Sequence, residues 1–180
     1  DYEYQEFYNA FLKQVDILSK NGVDAFIIET MSGLEEAKAA VSACKAVSEI
    51  PVIASMSFSI SAKGYRTMMG VSIEDFAAAM SMLNCDVIGA NCGCGVQQMI
   101  EIISRMKGVL KNINKKNIFL IAQPNAGVPR LVGDKTVFDE KPSDFANAVP
   151  ELIKAGANII GGCCGATPEY IREIVRLVKI

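Results

Sequence analysis

Apolar residues recur along this chain in two alternating rhythms, one at helical spacing and one in short unbroken runs. Phe7, Phe11, Val15 and Leu18 predict a helix that Asn21-Gly22 stops. Ala25-Phe26-Ile27-Ile28 is too short for a helix, reads as a strand and ends on Glu29-Thr30. Leu34, Ala37, Val41 and Cys44 mark a second helix, ended before Pro51, and Val52 to Phe58 form a second strand. Ser72-Ile73-Glu74-Asp75 resembles a capping box with Asp in place of Glu or Gln, opening a helix that carries Phe76, Ala79, Met80 and Leu83. Asp86 to Ala90 is a third strand, followed by a helix with Ile100, Ile103, Met106 and Leu110. Ile118 to Ile121 is a fourth, and a long loop runs from Gln123 to Lys141. A helix with Phe145, Val149 and Leu152 leads to a fifth strand, Ala157 to Ile160, and Thr167-Pro168 opens the last helix.

Apolar strands alternating with amphipathic helices predict an α/β fold whose parallel sheet is buried on both faces. Two architectures fit: an open doubly wound sheet, or part of a (β/α)8 barrel. The 180 residues divide into five βα units of about 36 each, so eight would need about 290, and the chain is too short to close a barrel by itself. Asp1 leads directly into a helical pattern with neither a start Met nor a signal sequence, which suggests a piece of something longer.

Composition narrows the chemistry. Lys+Arg 18 against Asp+Glu 20, with no basic run, makes nucleic acid and anionic membranes poor partners. No apolar stretch is long enough to span a bilayer. The chain has no His and six Cys, which excludes catalytic triads, His-ligated zinc and imidazole acid–base chemistry. Sulfur or a carboxylate must carry any metal or nucleophile.

In either architecture the active site lies at the carboxyl ends of the strands. Cys92, Cys94, Cys163 and Cys164 fall there, whereas Cys44 sits mid-helix and Cys85 at the opposite end, both as small core residues. Strands lie ~4.8 Å apart, so inward side chains from the third and fifth strands are close enough to meet on one ion. Cys163-Cys164 on a regular strand would point to opposite faces, and the flanking glycines supply the irregular backbone that turns both inward. Three thiolates leave a tetrahedral zinc with one open position; Cys94 would close it as a fourth sulfur or point away. The spacing favours metal over buried reduced thiols, and both over redox chemistry.

Gly89-Ala90-Asn91-Cys92-Gly93 and Ile160-Gly161-Gly162-Cys163-Cys164-Gly165-Ala166-Thr167-Pro168-Glu169 resemble the two zinc-ligand motifs of the homocysteine S-methyltransferase family. Ile28-Glu29-Thr30, Pro51 to Phe58 and Pro124-Asn125-Ala126-Gly127-Val128-Pro129 agree as well. The resemblance covers essentially the whole chain. It implies a single domain over 1–180, a partial (β/α)8 TIM barrel made of the family's strands four to eight, without its first three βα units. Cys94 and the interruption of the usual Gly-Arg-Thr loop by Tyr65 are departures from the family pattern.

The resemblance further implies Zn2+ held by Cys92, Cys163 and Cys164, activating the thiol of homocysteine for methylation to methionine. Glu29 matches the family's residue for the substrate amino group, and Asn91 fixes the substrate or the turn. Asn125 lies where its oxygen suits the fourth zinc position. The backbone of Ser57 and Phe58, with loop 63–70, is placed to hold the substrate carboxylate. The wording of the Glu29 and Gln123–Pro129 segments is closest to the cobalamin-dependent branch, so methylcobalamin on a corrinoid protein or domain is the expected donor, with betaine or S-methylmethionine as alternatives. A cytoplasmic location and self-association through exposed sheet edges complete the expectation. Two rival readings stand beside it: a structural four-cysteine half-barrel, and a corrinoid methyltransferase with another thiol acceptor.

Overall fold

The computed structural model describes residues 3–115 and 117–178. Helix α1 (Tyr4–Lys20) precedes strand β1 (Phe26–Met31), and α2 (Leu34–Val47) leads to β2 (Val52–Met56). After a hairpin of β3 (Ser59–Ser61) and β4 (Gly64–Arg66) come α3 (Ile73–Met82), β5 (Val87–Asn91), α4 (Val96–Asn112) and β6 (Phe119–Gln123). A second hairpin, β7 (Arg130–Val132) and β8 (Lys135–Val137), precedes α5 (Pro142–Asn147), α6 (Val149–Ala155), β9 (Ile159–Ile160) and α7 (Pro168–Val178).

Five strands pair in the order β1-β2-β5-β6-β9, and every pair is parallel. That order decides between the two architectures. A doubly wound sheet reverses direction at a switch point, whereas here each βα unit adds its strand beside the previous one, as in a barrel wall. The helices therefore collect on one face. Phe26, Ile28, Ala54, Met56, Ile88, Ala90, Leu120 and Ala122 face them and form the main core with the apolar stripes of α2, α3, α4 and α6. A smaller cluster of Ala126, Phe145, Val149, Tyr170 and Ile174 lies under α5 and α7.

The other face carries the alternate residues Ile27, Ile53, Ser55, Val87, Gly89, Asn91, Ile121 and Gln123. It is only partly covered: Ile27 is 49% and Phe119 57% exposed, so burial on both faces is incomplete. β1 and β9 are each paired on one side only among the described residues.

Three local features differ from the pattern reading. The segments after β2 and β6 are hairpins rather than plain loops. The helix through Phe145 and Leu152 is two helices, because Pro150 has no N–H to continue the α5 ladder and instead sits in the first turn of α6. At the start of α3 the Ser72 Oγ accepts from the Asp75 N–H at 3.0 Å, but the Asp75 carboxylate takes the Ser72 hydroxyl, not its backbone N–H. The cap forms, and the reciprocal half of the box does not.

Candidate metal centre

The exit of β6 is the template on which both cysteine motifs are laid. β6 lies between β5 and β9, so the residues following it can bond to both neighbours. On one side the Gln123 carbonyl accepts from the Cys92 N–H at 3.1 Å, and the Asn125 N–H donates to the Cys94 carbonyl at 3.0 Å. On the other side the Pro124 carbonyl accepts from the Cys163 N–H at 2.8 Å, and the Ala126 N–H donates to the Cys164 carbonyl at 2.9 Å. The Asn125 Oδ1 completes the set by accepting from the Cys164 N–H at 3.1 Å. Cys92, Cys163 and Cys164 are thereby held through their backbone groups, and these bonds do not use their sulfurs.

Cys92 adopts a left-handed conformation, φ 58°, and Gly93 follows at φ 71°. The kink breaks strand alternation, so Cys92 and Cys94 do not share a surface. A Cβ on Gly93 would sit 2.4 Å from the Phe58 carbonyl oxygen, so this close crossing of two chains requires glycine.

The three sulfurs of Cys92, Cys163 and Cys164 lie within 4.8 Å of one another. Cys92 Sγ and Cys164 Sγ are 3.7 Å apart. A tetrahedral ion with Zn–S bonds of ~2.3 Å sets its sulfurs about 3.8 Å apart, so the Cys92–Cys164 pair matches that edge length and Cys163 lies within reach of the same ion. Cys94 is buried at 5% exposure and stands outside the trio. Burial pushes its thiol up to about 12, as it does for Cys85, and pushes Cys44 up to about 11. These are inert core thiols.

Cys164 differs. Its thiol is pushed up to about 11 by its hydrogen bond to Cys92, by burial and by the neighbouring sulfurs. Without a cation the cluster keeps that proton at neutral pH, and a divalent ion must displace it to gain the thiolate. Calorimetry of Zn2+ loading in buffers of different ionisation heat is therefore expected to show proton release at pH 7 and affinity that falls as pH drops. Loading with no proton release would show that the sulfur is not a ligand.

Asn91 ends β5, is buried, and faces the trio with every polar atom committed. Its Oδ1 accepts from the Thr30 N–H at 2.8 Å and the Ser55 hydroxyl at 2.7 Å. Its Nδ2 donates to the Thr30 Oγ1 at 2.7 Å and to Cys163 Sγ at 3.8 Å. Asn125, equally buried, uses its oxygen to accept from the Cys164 N–H. Glu29 is exposed on the open side of β1. Phe58 is fully buried, edge-on to Phe76, with backbone as well as ring closed off, so the expected contact of its backbone with a substrate carboxylate is not open in this structure. The Ser57 N–H donates to the Met31 carbonyl at 3.1 Å, which leaves the Phe58 N–H without a partner among the described residues.

Three contributors escape the pattern reading: Thr30, Ser55 and Thr67. Thr67 is buried and its hydroxyl donates to the Ser32 carbonyl at 2.7 Å, tying loop 63–70 to the end of β1. The one signal for Thr30 is its place beside Glu29; its φ of 61° is not encoded in any pattern of apolar residues.

A barrel-wall sheet with a sulfur trio at its carboxyl end defines an α/β protein with a candidate metal centre. The family model for homocysteine S-methyltransferase matches residues 1–178, and the chain belongs to that family. The apo homocysteine methyltransferase MmuM from Escherichia coli has a similar fold, with TM-score 0.74 and 20% identity over 98% of this chain. Its metallated form superposes with TM-score 0.71 at 21% identity. A 2,3-dimethylmalate lyase of the PEP mutase/isocitrate lyase superfamily shares the fold at TM-score 0.64 and 12% identity. The chain spans 57% of the MmuM chain and 66% of the lyase.

Proposed function

We propose that this chain activates the thiol of homocysteine on a zinc ion held by Cys92, Cys163 and Cys164, for methylation to methionine. The observation that carries the reading is the convergence of three sulfurs within 4.8 Å of one another in a chain of this family. Bound Zn2+ supplies a Lewis acid that deprotonates an alkyl thiol at neutral pH, in a site with no imidazole to act as base. The chain's residues do the rest. Cys92, Cys163 and Cys164 would hold the ion, and Cys94, buried outside the trio, would not join them. The Glu29 carboxylate meets the substrate ammonium, and loop 63–70 meets its carboxylate. The substrate sulfur forms the S–CH3 bond as the methyl–donor bond breaks, and the electron pair leaves with the donor. The thiol proton goes to solvent.

Methylcobalamin, on a corrinoid protein or domain, is the donor in this reading. The six free thiols suit a reducing, cytoplasmic setting, and no helix among the described residues is long and apolar enough to cross a membrane. The free edges of β1 and β9 support self-association, which light scattering at graded concentrations reads directly.

The test is methyl transfer by the Zn2+-loaded protein, with methylcobalamin, betaine and S-methylmethionine as donors and homocysteine beside simple alkyl thiols as acceptors. Methionine formed from methylcobalamin supports the proposal; methylation of another thiol alone overturns the substrate. X-ray absorption showing three sulfurs and one light atom supports an open site, and a four-sulfur shell overturns it.

A further inference from the structure

The Asn91 carboxamide joins four separate pieces of the fold. It bonds Thr30 at the end of β1 through both backbone and hydroxyl, Ser55 in β2, and Cys163 beyond β9, from its own place on β5. Its orientation is set by chemistry: the Thr30 N–H only donates, so Oδ1 must face it and Nδ2 must face the sulfur. Thr30 is β-branched and left-handed, a conformation that persists only where the surroundings enforce it. The ladder between β1 and β2 shifts register between Ile28 and Met31, across this residue. Two Asn91 bonds restrain Thr30, and Glu29 precedes it directly.

An ion bound at Cys163 would fix the sulfur that Nδ2 meets at 3.8 Å, and with it the amide that grips Thr30 through two bonds. We propose that Asn91 is a positioning residue that couples metal occupancy at Cys163 to the left-handed state of Thr30, and so to the placement of Glu29. It touches no substrate, because its donors and acceptors are already used. The coupling is reciprocal: whatever factor the metal adds to the ordering of Thr30, the ordered Thr30 adds to metal affinity. The inference rests on the zinc reading above, but not on methyl transfer or on homocysteine.

Amide hydrogen exchange of the whole chain, metal-free and loaded with Zn2+ or Cd2+, tests it. The Val52 N–H, bonded to the Asp86 carboxylate at 2.8 Å at the far end of the sheet, is the reference for global stability. Loading is expected to slow exchange at Thr30 by about tenfold or more beyond any slowing at Val52. Equal slowing at both amides, or none at Thr30, overturns the coupling. Asn91→Asp keeps acceptors for Thr30 and Ser55 but loses the donor to sulfur. It is expected to fold, to lose the metal-dependent slowing at Thr30, and to release Cd2+ to a chelator about 10–100-fold faster, the usual size of an outer-shell effect. Unchanged release with the slowing intact also overturns it. A chain that binds metal and shows the coupling yet methylates no homocysteine would refute the proposed function alone. A chain that binds no metal refutes both.

Discussion

Replacing Cys163 with Ser is expected to remove zinc and thiol methylation together. The substitution is nearly isosteric, and the Cys163 N–H bond to the Pro124 carbonyl is a backbone bond that the serine keeps. The fold around the site should therefore persist. What changes is the donor. A serine hydroxyl does not ionise near neutral pH, and zinc prefers thiolate in a cluster of this kind. Loss of a mere outer-shell partner costs about 10–100-fold in metal affinity, so loss of a ligand should exceed about 100-fold. Methyl transfer should fall at least as far. Metal analysis after dialysis and the methionine assay measure the two effects, and a variant with full metal and full rate would sink the ligand assignment. Cys94→Ser is the counterpart. It buries a hydroxyl where the thiol was inert, at a cost of about 1–3 kcal/mol in stability, while metal stoichiometry stays at wild type.

The contrast between those two cysteines shows what the sequence discloses and what it withholds. Strands and helices were legible because each short apolar run and each helical stripe is a local pattern with one solution. Their neighbour order was not, since both a barrel wall and a doubly wound sheet use the same local pattern; only the pairing of β1-β2-β5-β6-β9 separates them. The β3–β4 hairpin was missed because Ser59 to Ser61 is exposed throughout and shows no alternation. At the site, the cysteines and the glycines around them were visible as a motif. The side of the chain on which Cys94 falls was not, because it follows from a left-handed residue at Cys92. Asn91 and Asn125 were legible as site residues, but not in their bonding. Asn91 meets Thr30 across 61 residues and Asn125 meets Cys164 across 39, and no local spacing rule reaches that far.

Gly93→Ala is expected to damage the fold and the sulfur trio together. Two penalties add there. An L-residue at φ 71° bears the left-handed cost of about 1–2 kcal/mol. The new Cβ would also stand 2.4 Å from the Phe58 carbonyl oxygen and 2.8 Å from Ser57 Oγ. The first of these is backbone and cannot swing aside, so the strand exit or the Phe58 segment must move, at about 1–3 kcal/mol for overpacking. Together they predict a loss of about 2–5 kcal/mol, or a fall in Tm of roughly 5–15 °C for a domain of this size. Gly22→Ala separates the two penalties: its φ is 77°, but nothing lies within 4 Å of the added Cβ. It should lose only the left-handed cost, about 1–2 kcal/mol, with metal binding untouched. Because Cys92 precedes Gly93, displacement there also moves a ligand out of the trio, so Gly93→Ala should weaken Zn2+ as well as the fold. Thermal unfolding and metal retention of the two variants, measured side by side, decide it. If both variants lose the same stability and both retain zinc, the close crossing of Gly93 over Phe58 does not hold Cys92 in place.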